Sequence, residues 1–200
     1  MVPMHPLDTK GHPIILIGLM GCGKSTVGKA LSMRTGMPLL DTDAVIEEQV
    51  GKSIPDIFAE RGEAHFRMLE TALLRYIEGR HPAPPPIIST GGGIVIRKEN
   101  RELLHRLGFV VWLNVGVGTL LARTAHGSNR PLLQNTDRAA VLAELLHRRY
   151  PFYAETAHLQ MDSSRMDANT AAYNICLVAE RFFKPRRPRG EKPSEGSFRT

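Results

Sequence analysis

Gly18-Leu19-Met20-Gly21-Cys22-Gly23-Lys24-Ser25 decides how this chain is read. It satisfies G-x-x-x-x-G-K-[ST] at every fixed position. The apolar run from Pro13 to Gly18, with IILI at its centre, leads into it as a strand. A helix is expected to follow from Lys24 to Thr35, stopped by Gly36 and Pro38. Strand, glycine-rich turn and helix together make a phosphate cradle. Glycines let successive backbone N–H groups turn inward with no Cβ in the way, and the helix N-terminus adds partial positive charge. Lys24 can bridge the β- and γ-phosphates of a nucleotide, and the Ser25 hydroxyl can ligate Mg²⁺. The motif specifies phosphate binding and leaves the acceptor open. Cys22 lies in the loop near a helix N-terminus that would lower a thiol's pKa. A redox role and a small residue without chemistry both fit it.

Outward from the loop, short apolar runs alternate with helical patterns, the signature of a parallel α/β sheet. The expected order is a short strand Pro38 to Asp41, a helix Ala44 to Val50, a helix over IPDIFAERG capped by Ser53, and a helix from Glu63 to about Glu78. Phe66, Leu69, Leu73 and Leu74 give that last helix its apolar face. After the connector HPAPPP come a strand Ile87 to Thr90, the triplet Gly91-Gly92-Gly93, a helix Lys98 to Leu107 and the strand FVVWLNV. Residues 117 to 125 read as helix and HGSNRP as a mobile loop. Asp137 caps a helix reaching about Tyr150, where Pro151 disturbs it. A strand His158 to Met161 and a helix Ala168 to Phe183 complete the pattern.

Two hundred residues with 42% hydrophobic content suit one domain with modest tails. No apolar run approaches the length of a membrane span. The N-terminus lacks the charged and apolar regions of a secretory signal, and two cysteines make a poor disulfide framework. A cytoplasmic, monomeric protein is expected. The net charge of +6 does not argue for nucleic acid. From Lys184 to Thr200 there are six basic and two acidic residues, so +4 of that charge sits in the tail. The expected division is a flexible segment 1–11, a domain 12–183 and a disordered basic tail 184–200. The histidines form no metal-ligand grouping.

Asp41 and Asp43 follow the second strand. On an extended backbone both would face the crevice at the strand's C-terminal end. On spacing alone, a helix N-cap plus an exposed acid fits equally well. Arg67 and Glu70 lie three apart on one helix and share a face. Three glycines after a buried strand let backbone approach a ligand closely, or simply make a turn.

The blocks GLMGCGKSTVGKALS, DTD, GEAHFRMLE, STGGG, RPLL and RRYPFY, in that order over residues 18 to 153, resemble the shikimate kinase family. The resemblance implies a three-layer α/β/α, nucleoside-kinase-like P-loop fold with a parallel sheet of about five strands. A substrate-binding helical segment would span about 42–78 and a mobile lid about 123–133. It implies Mg²⁺-dependent transfer of the γ-phosphate of ATP to the 3-hydroxyl of shikimate, on the route to chorismate and aromatic amino acids. ATP would rest on Gly21, Cys22, Gly23, Lys24, Ser25 and Thr26, with Arg123 and Arg165 near the adenine. Mg²⁺ would be held at Ser25 and Asp41. Shikimate would meet Asp43, Arg67, Gly91, Gly92, Gly93 and Arg149; Arg149 is chosen over Arg148 by its spacing to Pro151 and Tyr153. Lys24, Asp43 and Arg130 would act in the transfer. Without the resemblance, Arg130 reads as a solvent-exposed loop arginine. A gluconate kinase, a regulatory module that kept the loop but lost chemistry, and a nucleic-acid-associated NTPase are the rival readings.

Overall fold

A computed structural model describes residues 7–124 and 137–184. Residues 1–6 of the N-terminal segment, lid residues 125–133 with Arg130, and tail residues 185–200 lie outside the described residues.

β1 (Ile14–Ile17) is buried at every position and occupies the middle of a five-stranded sheet ordered β2-β3-β1-β4-β5. All of its pairings are parallel. β2 (Leu39–Asp41) and β3 (Ile87–Ser89) lie on one side, β4 (Phe109–Asn114) and β5 (Leu159–Asp162) on the other. Parallel strands need crossovers, and helices supply them, covering both faces of the sheet. Side chains alternate along β1 accordingly. Ile14 and Leu16 join a core with α1 (Lys24–Thr35) and α7 (Ala168–Phe183). Ile15 and Ile17 join a second core with α3 (Ile54–Arg80) and α4 (Lys98–Leu107). The result is the expected three-layer α/β/α arrangement. No helix among the described residues is long and apolar enough to cross a membrane.

Local signals place most helix ends. Ser53 caps α3 by accepting the Asp56 N–H, and Asp167 caps α7 by accepting from Asn169 and Thr170. Asp137 does the same for α6 (Arg138–Thr156) through Ala139 and Ala140. α3 is broken at Gly62, so the two helices expected from sequence meet at a kink. α5 is Val117–Thr124.

Two expectations are corrected. α6 runs through Pro151 to Thr156 instead of ending near Tyr150. Proline inside a helix costs about 3 kcal/mol, and burial of Tyr153 and Thr156 beyond it offsets that loss. α2 (Thr42–Val50) starts immediately after β2, because the Asp41 side chain accepts the Asp43 N–H at 3.1 Å and caps it. Asp41 and Asp43 therefore do not lie on one extended backbone.

Below the sheet, His158 closes the entry to β5. Its N–H donates to Val110 O at 2.8 Å, while Val110 N–H donates to its Nδ1 at 3.0 Å. The ring packs against His105 and Phe182. Burial, with His105 adding, lowers its pKa to about 4.

Candidate active site

A cleft of about 850 Å³ opens at the C-terminal ends of β1, β2 and β3. That is where open α/β sheets bind ligands. The phosphate loop forms one wall. Gly18, Gly21 and Gly23 all have positive φ (142°, 82° and 100°), which only glycine adopts without strain. Lys24 at the start of α1 is buried, and its ammonium donates to Gly18 O at 2.8 Å and Leu19 O at 3.1 Å. Ser25 Oγ donates to Asp41 Oδ2 at 3.3 Å and lies 3.5 Å from Ser89 Oγ. Hard oxygen donors thus gather beside the phosphate cradle, the donor set Mg²⁺ takes when phosphates and waters complete its shell. The Arg123 guanidinium donates to Cys22 O at 3.3 Å and Ser163 O at 3.4 Å, tying α5 to the loop.

The opposite wall is built around Gly91-Gly92-Gly93, held at its start by Gly91 N–H donating to Thr42 Oγ1 at 3.1 Å. Four charged side chains ring it. Asp43 and Glu70 crowd Gly91: a Cβ there would stand 2.5 Å from Asp43 Oδ1 and 3.1 Å from Glu70 Oε1. Neither of those buried oxygens has a hydrogen-bond partner. Arg67 lies against Gly93. Its Nη1 donates to Glu70 Oε2 at 2.8 Å, and its Nη2 and Nε donate to Glu63 Oε1 at 2.8 and 3.1 Å. Two of its five N–H groups remain for a ligand. Arg149, from α6, donates to Gly92 O at 3.2 Å.

Electrostatics follow from this crowding. Burial, with Asp41 adding, pushes Asp43 up to about 6 against the pull of Lys24 and Arg67. Burial pushes Glu70 up to about 7 even though the Arg67 guanidinium pulls the other way. Burial works against the charge of Arg67 too, but Glu70 and Glu63 outweigh it and raise its pKa.

The cleft therefore collects Gly21 to Thr26, Asp41, Asp43, Arg67, Gly91 to Gly93, Arg123 and Arg149 in one wall system. Arg165 is exposed and is not one of its lining residues. Ser163, Met166, Asp167 and Ala168 face the cleft there. Glu63, Thr42 and Tyr153 carry contacts that sequence reasoning did not assign. Glu63 had a signal, four residues before Arg67 on one helix. Thr42 had none, because its role depends on the turn made by Asp41.

Fold and cleft together define a P-loop kinase. A family model described as shikimate kinase matches residues 20–179, and the chain belongs to the shikimate kinase family. A shikimate kinase of Dechloromonas aromatica is 44% identical over 156 residues, covering 78% of this chain and 84% of the relative. One from Chromobacterium violaceum is 40% identical over 166 residues, covering 83% and 89%. Among solved structures, shikimate kinase from Acinetobacter baumannii in complex with shikimate superposes with a TM-score of 0.80 at 38% identity. It covers 86% of this chain and 96% of that one.

Proposed function

We propose that this chain carries out its family's reaction, moving the γ-phosphate of ATP to the 3-hydroxyl of shikimate, with the residues that face its cleft. The observation that carries the reading is the ring around the three glycines. Asp43, Arg67 and Arg149 all converge there, opposite the phosphate loop. Two guanidiniums and one carboxylate suit an acceptor bearing both a carboxylate and hydroxyls.

ATP lays its phosphates on Gly21 to Thr26, where Lys24 leaves its carbonyls for the β- and γ-oxygens. Ser25 and Asp41 would hold Mg²⁺, which supplies positive charge against those same oxygens when bound. Arg67 and Arg149 take the shikimate carboxylate and fix the ring. Asp43, with its unpartnered Oδ1, accepts the hydrogen of the attacking hydroxyl and orients it. Its raised pKa makes it a stronger base than an ordinary aspartate. Arg123 lies near the adenine side of the loop. Arg130 is assigned to the transferring phosphoryl group, and Arg165 to the adenine, by resemblance alone. Both cysteines are free and buried, in keeping with a reducing cytoplasm. In this reading the enzyme works as a monomer on small molecules. The basic residues after Lys184 take no part.

A coupled ADP-release assay with ATP and Mg²⁺ tests the proposal. Release should depend on shikimate and be near background with gluconate or no acceptor. Release with gluconate alone would overturn the acceptor assignment.

A further inference from the structure

Tyr153 reaches the acceptor wall from behind. It lies on α6 one turn past Arg149, fully shielded from solvent, with its ring stacked on Trp112 of β4 at 5.4 Å. Its hydroxyl donates to Gly92 O at 2.6 Å. Arg149 Nη1 donates to the same oxygen at 3.2 Å, so both lone pairs of that carbonyl are taken. The other side of Gly92 rests on the phosphate loop. A Cβ there would stand 3.3 Å from Met20 N and 3.4 Å from Gly18 O. The Gly92 peptide is therefore clamped between two subsites.

Arg149 cannot spend the same N–H on Gly92 and on a ligand carboxylate. When it turns to the acceptor, the carbonyl keeps a donor only if Tyr153 stays. We propose that Tyr153 is a positioning residue of the acceptor site: its hydroxyl holds the Gly92 carbonyl so that Arg149 is released to the shikimate carboxylate. The inference rests on the assignment of Arg149 to that carboxylate. Tyr153 touches neither substrate. Burial pushes its phenol up, so the hydroxyl stays protonated and remains a donor throughout the working pH range.

Y153F keeps the ring and removes only the donor. The Gly92 oxygen then depends on Arg149, which is held back from the ligand. The shikimate KM should rise roughly 5- to 50-fold, with the ATP KM and kcat within about twofold of wild type. Y150F, on the exposed ring one turn away, should change neither. A second arm uses a shikimate analogue with its carboxylate reduced to the alcohol. Wild type should discriminate strongly against it, and Y153F should discriminate less. Equal discrimination by both proteins would overturn the role of Tyr153 and leave Arg149 in place. A wild type indifferent to the change would remove Arg149 from the carboxylate, and the inference with it. Should Y153F fail to fold, a crystal structure of wild type with shikimate decides. Arg149 should have left Gly92 O with Tyr153 still bonded to it; Arg149 still on that carbonyl would overturn the proposal.

Discussion

Gly93 lies directly beneath the Arg67 guanidinium: a Cβ built on the glycine would stand 2.5 Å from Nη1 and closer still to Nη2. The obstacle is the end of a flexible side chain, so G93A should fold and push Arg67 aside. The displaced guanidinium loses its geometry toward Glu70 and toward a ligand carboxylate at once. The shikimate KM should rise about tenfold or more while the ATP KM holds. Steady-state kinetics with both substrates varied gives the answer. An unchanged shikimate KM would remove Arg67 from the acceptor site.

Lys24 is anchored by two loop carbonyls, and the proposed function has it bring charge to the phosphates. K24M should fold, since the aliphatic stem is kept, and lose about 10²-fold or more of kcat. Calorimetric titration should still detect shikimate. Near-normal turnover would sink the phosphate role.

Asp43 predicts a pH limb. Its carboxyl loses its proton near 6 in the free enzyme, and only the ionised form can act as the base toward the hydroxyl proton. kcat/KM for shikimate should fall as pH drops through about 6, approaching tenfold per unit below it. A profile flat to pH 4.5 would show that Asp43 does not need to be ionised.

His158 predicts a second, separate pH effect, on stability. The ring takes a proton at 6.5 when exposed but only near 4 in the fold, so folding favours its neutral form. That contribution is complete above about 6.5 and is lost progressively as pH falls toward 4. H158N offers an oxygen to the Val110 N–H without titrating. Its loss of Tm between pH 7 and pH 5 should be smaller than that of wild type by roughly 2 °C or more. Equal losses would clear His158 of the effect.

The sheet and phosphate loop were legible because their rules are local. IILI followed by the glycine pattern needs no distant partner to be read, and α1, α4 and α7 ended where their terminating residues placed them. α6 was misread because Pro151 is a local signal overridden by burial of Tyr153 and Thr156. For Asp41 and Asp43 the spacing leaves an extended backbone and a helix N-cap equally open, and the structure takes the cap: Asp41 turns the chain helical one residue later. Tyr153 is not legible as a contributor because its role needs knowledge of which helix faces which loop, whereas Glu63 needs only its spacing to Arg67 on one helix. Arg165 is exposed and does not line the cleft, while its neighbours Met166 and Asp167 do.

Trp112 is the only tryptophan in the sequence, and it is wholly buried. Tyr150 meets its ring edge-on at 4.9 Å and Tyr153 stacks on it at 5.4 Å, with the Tyr153 hydroxyl ending on Gly92. The one indole therefore touches two phenols, of which Tyr153 ends on the acceptor wall, and it borders the phosphate loop too, where a Cβ on Gly18 would stand 3.5 Å from its Cδ1. A shift of Gly92 when a ligand arrives should reach that indole through Tyr153 or through the phosphate loop. Tryptophan emission of the unlabelled protein is therefore expected to change when shikimate or ATP is titrated in.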